Sequence, residues 1–175
     1  MSEPLAIVLA AGKGTRMKSD LPEVLFPVCG RPRVRYVLEA LHGAGVGRVL
    51  VVAGYKADLV RRELSDEPGV EFVVHSEQLG TGHAVMVCRE SLAEHGGPVL
   101  ILAGDSPMTQ VLSLKLLLED YDREQPACLL GTAIEEDPTG LGRITRGGDG
   151  QFVGIVDEED ATAEQKGISE VNMST

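Results

Sequence analysis

The chain has 175 residues, of which 43% are hydrophobic, 25% charged and 3% aromatic, and its formal net charge is −11. That length suits one domain with a real core; no apolar run approaches a bilayer span, and residues 1–4 lack the apolar stretch of a signal peptide. An acidic chain without Trp makes a poor nucleic-acid backbone track or stacking platform, so neither nucleic acid nor membrane is an expected partner.

The first 130 residues alternate between strand and helix patterns. "LAIVL" (5–9), "RVLVVA" (48–53), "VEFVVH" (70–75), "PVLILA" (98–103) and "ACLLGTA" (127–133) are short apolar runs, and runs apolar on both faces suit the centre of a parallel sheet. Between them, Val34, Val37, Leu38 and Leu41 recur at helical spacing, as do Leu114, Leu117, Leu118 and Tyr121; Ala84, Val87, Cys88 and Leu92 nearly repeat the pattern. Gly43 and Gly45 supply a helix stop, and Thr109 is an expected N-cap. Alternation with short loops predicts right-handed crossovers and an α/β fold, a three-layer Rossmann-like sandwich on a mainly parallel sheet. No internal repeat or linker is legible, so residues 1–175 read as a single domain. Cys29, Cys88 and Cys128 are odd in number and lack metal-ligand spacing, which reads as buried free thiols in a reducing cytoplasm.

In such a sheet, ligands bind at the carboxyl ends of the strands. Four segments leave there, "AAGKGTRM", "GYK", "SEQLGTGHA" and "GDSPM", and all carry glycine with polar residues. The first has Gly12 and Gly14 with Lys13, Thr15 and Arg16. It is neither a dinucleotide fingerprint, since Met17 stands where a third glycine is needed, nor a P-loop, since Ile7 stands where that motif needs glycine. What it keeps is small residues that admit a phosphate to the backbone, with cations beside them. Residues 1–64 carry ten Lys and Arg against six Asp and Glu, while the rest of the chain is strongly acidic. A basic surplus around this loop favours a small anionic ligand held locally.

Asp105 follows a buried strand. It reads either as a turn aspartate before Pro107 or, opposite a polyphosphate loop, as a Mg²⁺ ligand. Gly80 and Gly82 frame Thr81 at a helix entry whose open backbone suits the edge of a flat base. His83 reads as structural, no nucleophile–His–acid arrangement is legible, and "DEED" (157–160) is a solvated turn whose Asp157 ends a strand.

Taken in order, "LAAGKGTRM", "LPEVL", "EQLGTGHA", "GDSP", "DPTGLGRITR" and "GIVDEEDAT" resemble the uridylyltransferase domain of the N-acetylglucosamine-1-phosphate uridylyltransferases, within the nucleotide-diphospho-sugar transferases. The first motif is shared across the wider family; "EQLGTGHA" with "DPTGLGRITR" is more specific. The resemblance implies a cytoplasmic, Mg²⁺-dependent enzyme that joins UTP and a sugar 1-phosphate into a UDP-sugar and pyrophosphate. It puts Leu9, Ala10, Ala11 and Gly12 around uracil and ribose, with His75, Gln78, Gly80 and Thr81 at the base. Gly14 and Thr15 meet the phosphates, as do Lys13 and Arg16, which it makes catalytic, and Asp105 meets the metal. Gly104, Gly142, Asp157 and Asn172 meet the N-acetylated sugar.

The same resemblance marks departures. Glu23 stands where the family has a catalytic, phosphate-neutralising lysine, His75 where it has a base-reading glutamine, and Ala103 and Leu141 where it has tyrosines. Asp157 is one methylene shorter than the family's glutamate. The family's domain continues past Asn172 to an asparagine that binds metal, so the resemblance implies incompleteness at the sugar-binding end. "EVNMST" then reads as a strand with an unpaired edge, through which homo-oligomers are expected. A nucleotide-binding or scaffold module without turnover, and a transferase for another sugar or base, are the alternatives these departures leave open.

Overall fold

The computed structural model describes residues 3–14, 18–77 and 79–173. Between Gln125 and Pro126 the chain divides into two compact units. The first contains, in chain order, β1 (Leu5–Ala10), the hairpin β2 (Pro27–Val28) and β3 (Arg31–Pro32), α1 (Arg33–Gly43), β4 (Arg48–Ala53), α2 (Ala57–Glu63), β5 (Val70–Val74), α3 (Thr81–Met86), β6 (Val99–Ala103) and α4 (Val111–Glu124). A 3₁₀ turn, Glu23–Leu25, precedes the hairpin.

The four long strands form a parallel sheet in the order β5-β4-β1-β6. β1 runs from Leu5 opposite Arg48 to Ala10 opposite Ala53 on one side, and from Leu5 opposite Val99 to Leu9 opposite Ala103 on the other. Alternation sends Ala6, Val8 and Ala10 to one face, where they share a core with Val34, Val37, Leu38 and Leu41 of α1, Val60 of α2 and Leu114 of α4. Leu5 and Ile7 face the other way, with Leu50 and Val52, against Ala84 and Cys88. This is the expected three-layer α/β sandwich. Each aliphatic side chain fully buried here contributes about 1.5–3 kcal/mol.

The second unit contains β7 (Thr132–Ile134), β8 (Arg143–Arg146), β9 (Phe152–Val156), α5 (Ala163–Lys166) and β10 (Glu170–Asn172). Its sheet has the order β7-β10-β8-β9, and every pairing in it is antiparallel.

Several expectations are corrected. The run 127–133 does not extend the parallel sheet: only Thr132 and Ala133 join β7, which pairs with β10. Apolarity signalled a strand but not its partner, which lies some forty residues downstream in the chain. β10 itself is interior to its sheet, bonded to β7 and to β8, so the expected unpaired edge is not there. The helical pattern from Ala84 to Leu92 breaks at Met86, where tighter bonds take over, from Cys88 N to the Val85 carbonyl at 3.0 Å and from Arg89 N to the Met86 carbonyl at 3.1 Å.

Thr109 does not cap α4. Its hydroxyl donates to the Ser106 carbonyl at 2.8 Å, and Gln110 takes the cap position with no side-chain bond. Gly43 does end α1. Of the three free cysteines only Cys88 is buried. Cys29 is exposed because it forms the tip of the β2–β3 hairpin with Gly30, at φ of 51° and 80°, and Cys128 is also exposed. Among the described residues, no helix is long and apolar enough to cross a membrane.

The approach of β5 to β4 requires one glycine. Gly69 has φ +70°, and a Cβ there would lie 2.0 Å from the Gly47 carbonyl oxygen. Gly69→Ala is therefore expected to cost about 2 kcal/mol or more in urea unfolding, from left-handed strain plus a clash with rigid backbone. Gly47→Ala, which meets nothing within 4 Å, should cost about 1 kcal/mol or less.

Candidate functional site

The loops of the first unit converge where its strands end. β1 runs out through Leu9 and the buried Ala10 into Ala11, β4 into Gly54, and β5 into His75. Gly54 is the contact point. A Cβ on it would stand 2.9 Å from the Ala11 Cβ and 3.0 Å from both the Ala11 and His75 carbonyl oxygens. Tyr55 N donates to the Ala11 carbonyl at 3.1 Å, and His75 N to the Ala53 carbonyl at 2.9 Å. Gly104, at the end of β6, closes on the same region: its N donates to the Leu9 carbonyl at 2.9 Å, and a Cβ would meet Leu9 O, Val24 and Val8 at 3.0–3.1 Å. The four strand exits are thus packed too closely for side chains to intervene.

The glycine loop is held at both ends by the turn after β4. Tyr55 N fixes its start, and Lys56 Nζ donates to the Asp20 carbonyl at 2.7 Å near its finish. Lys56 adopts φ +47°, uncommon for a side-chain-bearing residue, and its ammonium lies 5.4 Å from the Tyr55 ring centre. The Lys13 ammonium lies 5.5 Å from the same centre, so one aromatic ring carries a cation from each of two loops. Gly12 meets nothing within 4 Å, leaving its backbone open. Gly14 has φ +65° and turns directly over Glu23: a Cβ would lie 2.8 Å from the Glu23 Cβ and 3.2 Å from Oε2. Thr15, Arg16 and Gln78 lie outside the described residues.

Gly80 takes φ +93° ahead of α3, and Thr81 begins that helix exposed. His83 proves to be the partner of His75. His75 Nε2 and His83 Nδ1 are 2.8 Å apart with ring centres 4.9 Å apart, and one nitrogen donates to the other. His75 is buried, its Nδ1 has no hydrogen-bond partner, and burial followed by the nearby His83 pushes its pKa down.

Asp105 is half-buried just beyond β6, and among the described residues no cation pairs with it. No group of three or more His, Cys, Asp or Glu placed to hold a metal ion is found among those residues. A half-buried carboxylate at a strand end suits Mg²⁺, which takes one or two carboxylates and completes its shell with phosphate oxygens and water.

In the second unit, three of the four residues expected at the sugar, Gly142, Asp157 and Asn172, come together; Gly104 belongs to the first unit. Asn172 N donates to the Gly142 carbonyl at 2.8 Å, and a Cβ on Gly142 would stand 3.0 Å from Ile155 Cγ2, 3.5 Å from Asp157 Oδ1 and 3.8 Å from Asn172 Cβ. Sequence reasoning missed what holds this cluster. Arg143 is fully buried; its Nη2 donates to Glu158 Oε2 at 2.5 Å and its Nη1 to the Leu141 carbonyl. Glu158 also accepts from Gly140 N at 3.3 Å and has Lys166 Nζ 3.6 Å away. Arg143 thereby ties the loop of Gly140 and Gly142 to the turn after β9. Its guanidinium, then the Gly140 N–H, hold the Glu158 carboxyl below the usual carboxylate range. "GRITR" contained the signal only as an arginine in a strand pattern, with nothing to show which face it took.

Comparison with known proteins supplies the context. Residues 6–143 match the family model of the MobA-like NTP transferase domain. The chain is 44% identical over 170 residues to the "Bifunctional protein GlmU" of Streptococcus mutans, covering 97% of this chain and 37% of that protein. It is 42% identical over 173 residues to the protein of the same name from Exiguobacterium sp., covering 99% and 38% respectively. The chain therefore spans well under half the length of the curated relatives it matches. Its fold resembles the crystal structure of UDP-glucose pyrophosphorylase complexed with UDP-glucose, at 17% identity and TM-score 0.76, over 99% of this chain and 75% of that one.

Two outcomes follow from the buried groups. In the unfolded chain His75 takes up its proton near pH ~6.5, and in the folded chain at lower pH, so the unfolded state binds more protons in between. Stability is full above that range and falls as pH drops through the folded pKa; His75→Gln should flatten the dependence of the urea midpoint between about pH 7 and 5. Glu158→Gln leaves the buried Arg143 guanidinium short of its counter-charge and should lower the thermal midpoint clearly, whereas Glu159→Gln, in an exposed turn, should barely move it.

Proposed function

Because the chain belongs to the MobA-like NTP transferase domain family, we propose that it is a sugar-1-phosphate nucleotidyltransferase domain that joins UTP and N-acetylglucosamine 1-phosphate into UDP-N-acetylglucosamine and pyrophosphate. The observation that carries the reading is the convergence of Ala11, Gly54 and His75 at the strand ends, with the open Gly12 and the turned Gly14 beside them. Backbone that no side chain can shield is what a nucleotide's phosphates and base require.

The sugar-phosphate oxygen attacks the α-phosphorus in line. A new P–O bond forms as the bridging bond to the β-phosphorus breaks, and pyrophosphate leaves. Such a reaction rests on positioning and charge neutralisation more than on covalent catalysis. In this reading Leu9 to Gly12 border the nucleoside, and His75, Gln78, Gly80 and Thr81 border the base. Lys13, Gly14, Thr15 and Arg16 hold the phosphates. Gly142, Asp157 and Asn172 hold the sugar, a role the resemblance also gives Gly104; that Asp157 and Asn172 lie within 4 Å of where a Gly142 Cβ would stand supports grouping those three. Asp105 would hold Mg²⁺, which when bound neutralises charge on phosphate oxygens. The site would operate in the cytoplasm.

One observation favours a second reading, a nucleotide-binding domain without turnover. Glu23 places a carboxylate directly under Gly14, where a phosphate is to be neutralised.

Calorimetric titration with UTP, with and without Mg²⁺ and with CTP and dTTP as controls, tests the proposal before any turnover assay. UTP-selective binding that strengthens with Mg²⁺ is expected, and Asp105→Asn should weaken the Mg²⁺-dependent binding about tenfold. Absence of binding by any nucleotide overturns it.

A further inference from the structure

Glu23 is not alone beneath the glycine turn. Arg33, the first residue of α1, brings its Nη1 to 3.7 Å from Glu23 Oε1, and each side chain is about one-fifth exposed. The two are tied through Phe26: Phe26 N donates to the Glu23 carbonyl at 3.1 Å, Arg33 N donates to the Phe26 carbonyl at 3.1 Å, and the guanidinium sits 5.9 Å from the Phe26 ring centre. Glu23 also abuts Gly14, where an added Cβ would lie 3.2 Å from Glu23 Oε2. Among the described residues, Glu23 has no other cation and Arg33 no other carboxylate. The Glu23 side chain thus meets both Gly14 and the Arg33 guanidinium.

The charges decide what this arrangement does. A carboxylate this sheltered and unpaired would repel any polyphosphate at Gly14, and shelter would strengthen the repulsion. A guanidinium in contact cancels most of it. At 3.7 Å the contact is an ion pair and not a hydrogen bond, and Arg33 Nε is buried with no hydrogen-bond partner at all. The guanidinium is therefore not held by a bidentate fork to the carboxylate; backbone and aromatic contacts set its place, and its charge is what it contributes.

Resting on the nucleotide-binding reading above, we propose that Arg33 is a positioning residue of the phosphate site: it is the built-in counter-charge of Glu23 and allows a carboxylate to sit beneath a loop that binds polyphosphate. The loop's field then depends on the pair and not on residue 23 alone.

A double-substitution cycle on the full chain, read as UTP affinity by calorimetry in the presence of Mg²⁺, tests this. Arg33→Gln should weaken binding about tenfold or more, because it exposes the phosphates to Glu23. Glu23→Gln should bind at least as tightly as the unaltered chain, and the double variant should fall within about threefold of Glu23→Gln. Arg33→Lys, which keeps the charge in a smaller head group, should recover most of the affinity. A purely structural Arg33 would lose affinity equally in both backgrounds, and that result, or no loss from Arg33→Gln in a folded protein, overturns the proposal. If the unaltered chain and Glu23→Gln both fail to bind UTP, the nucleotide reading itself fails and this proposal with it. Binding by both with an additive cycle overturns only the role of Arg33.

Discussion

The geometry of the first unit depends on β1 being buried between two parallel partners. Its backbone bonds are spent on β4 and β6, and its side chains enter a core on each face. Nothing in that strand is free to shift, so the point where it ends is fixed to within the packing of the core. The next turns are then referenced to that point: Gly54 touches Ala11 and His75, Gly104 touches Leu9, and Tyr55 bonds to the Ala11 carbonyl. A site made of backbone needs such referencing, because its donors cannot choose rotamers to reach a ligand.

Charge is managed locally around this frame. Lys13 and Lys56 flank Tyr55, Lys56 braces the glycine loop from Asp20, and Arg33 opposes Glu23. The second unit uses the same device more deeply, with Arg143 fully buried and fixed by Glu158 and a carbonyl. In the two sheltered pairs, Arg33–Glu23 and Arg143–Glu158, removing one member leaves a charge with less water than it needs, so the partners constrain one another more than they add net stability. The His75–His83 pair is a contact between two rings, in which burial and then the neighbouring His83 push the His75 pKa down.

Much of this was legible in the residues, and what was not has a common cause. The periodicity of Val34 to Leu41 gave α1, Gly43 its end, and the apolar runs gave four parallel strands, because burial on one or two faces imprints itself on neighbouring positions. The glycines at 14 and 80 were readable as turned backbone, since no other residue takes their positive φ cheaply, and Gly12 as open backbone. Cys29 was misjudged because its apolar neighbours concealed a two-residue hairpin tip.

What the sequence by itself determined is local: which segments are apolar, which turns need glycine, and where a basic loop follows a strand. Only the tertiary structure decided the pairings. It put residues 132–134 beside residues 170–172, set Arg143 against Glu158, joined His75 to His83, and brought Arg33 to Glu23. Hydrophobic periodicity acts between positions a few residues apart, whereas a counter-charge or a ladder partner is selected by three-dimensional proximity after collapse. A charged residue that has such a partner looks, in the chain, the same as one that has only water.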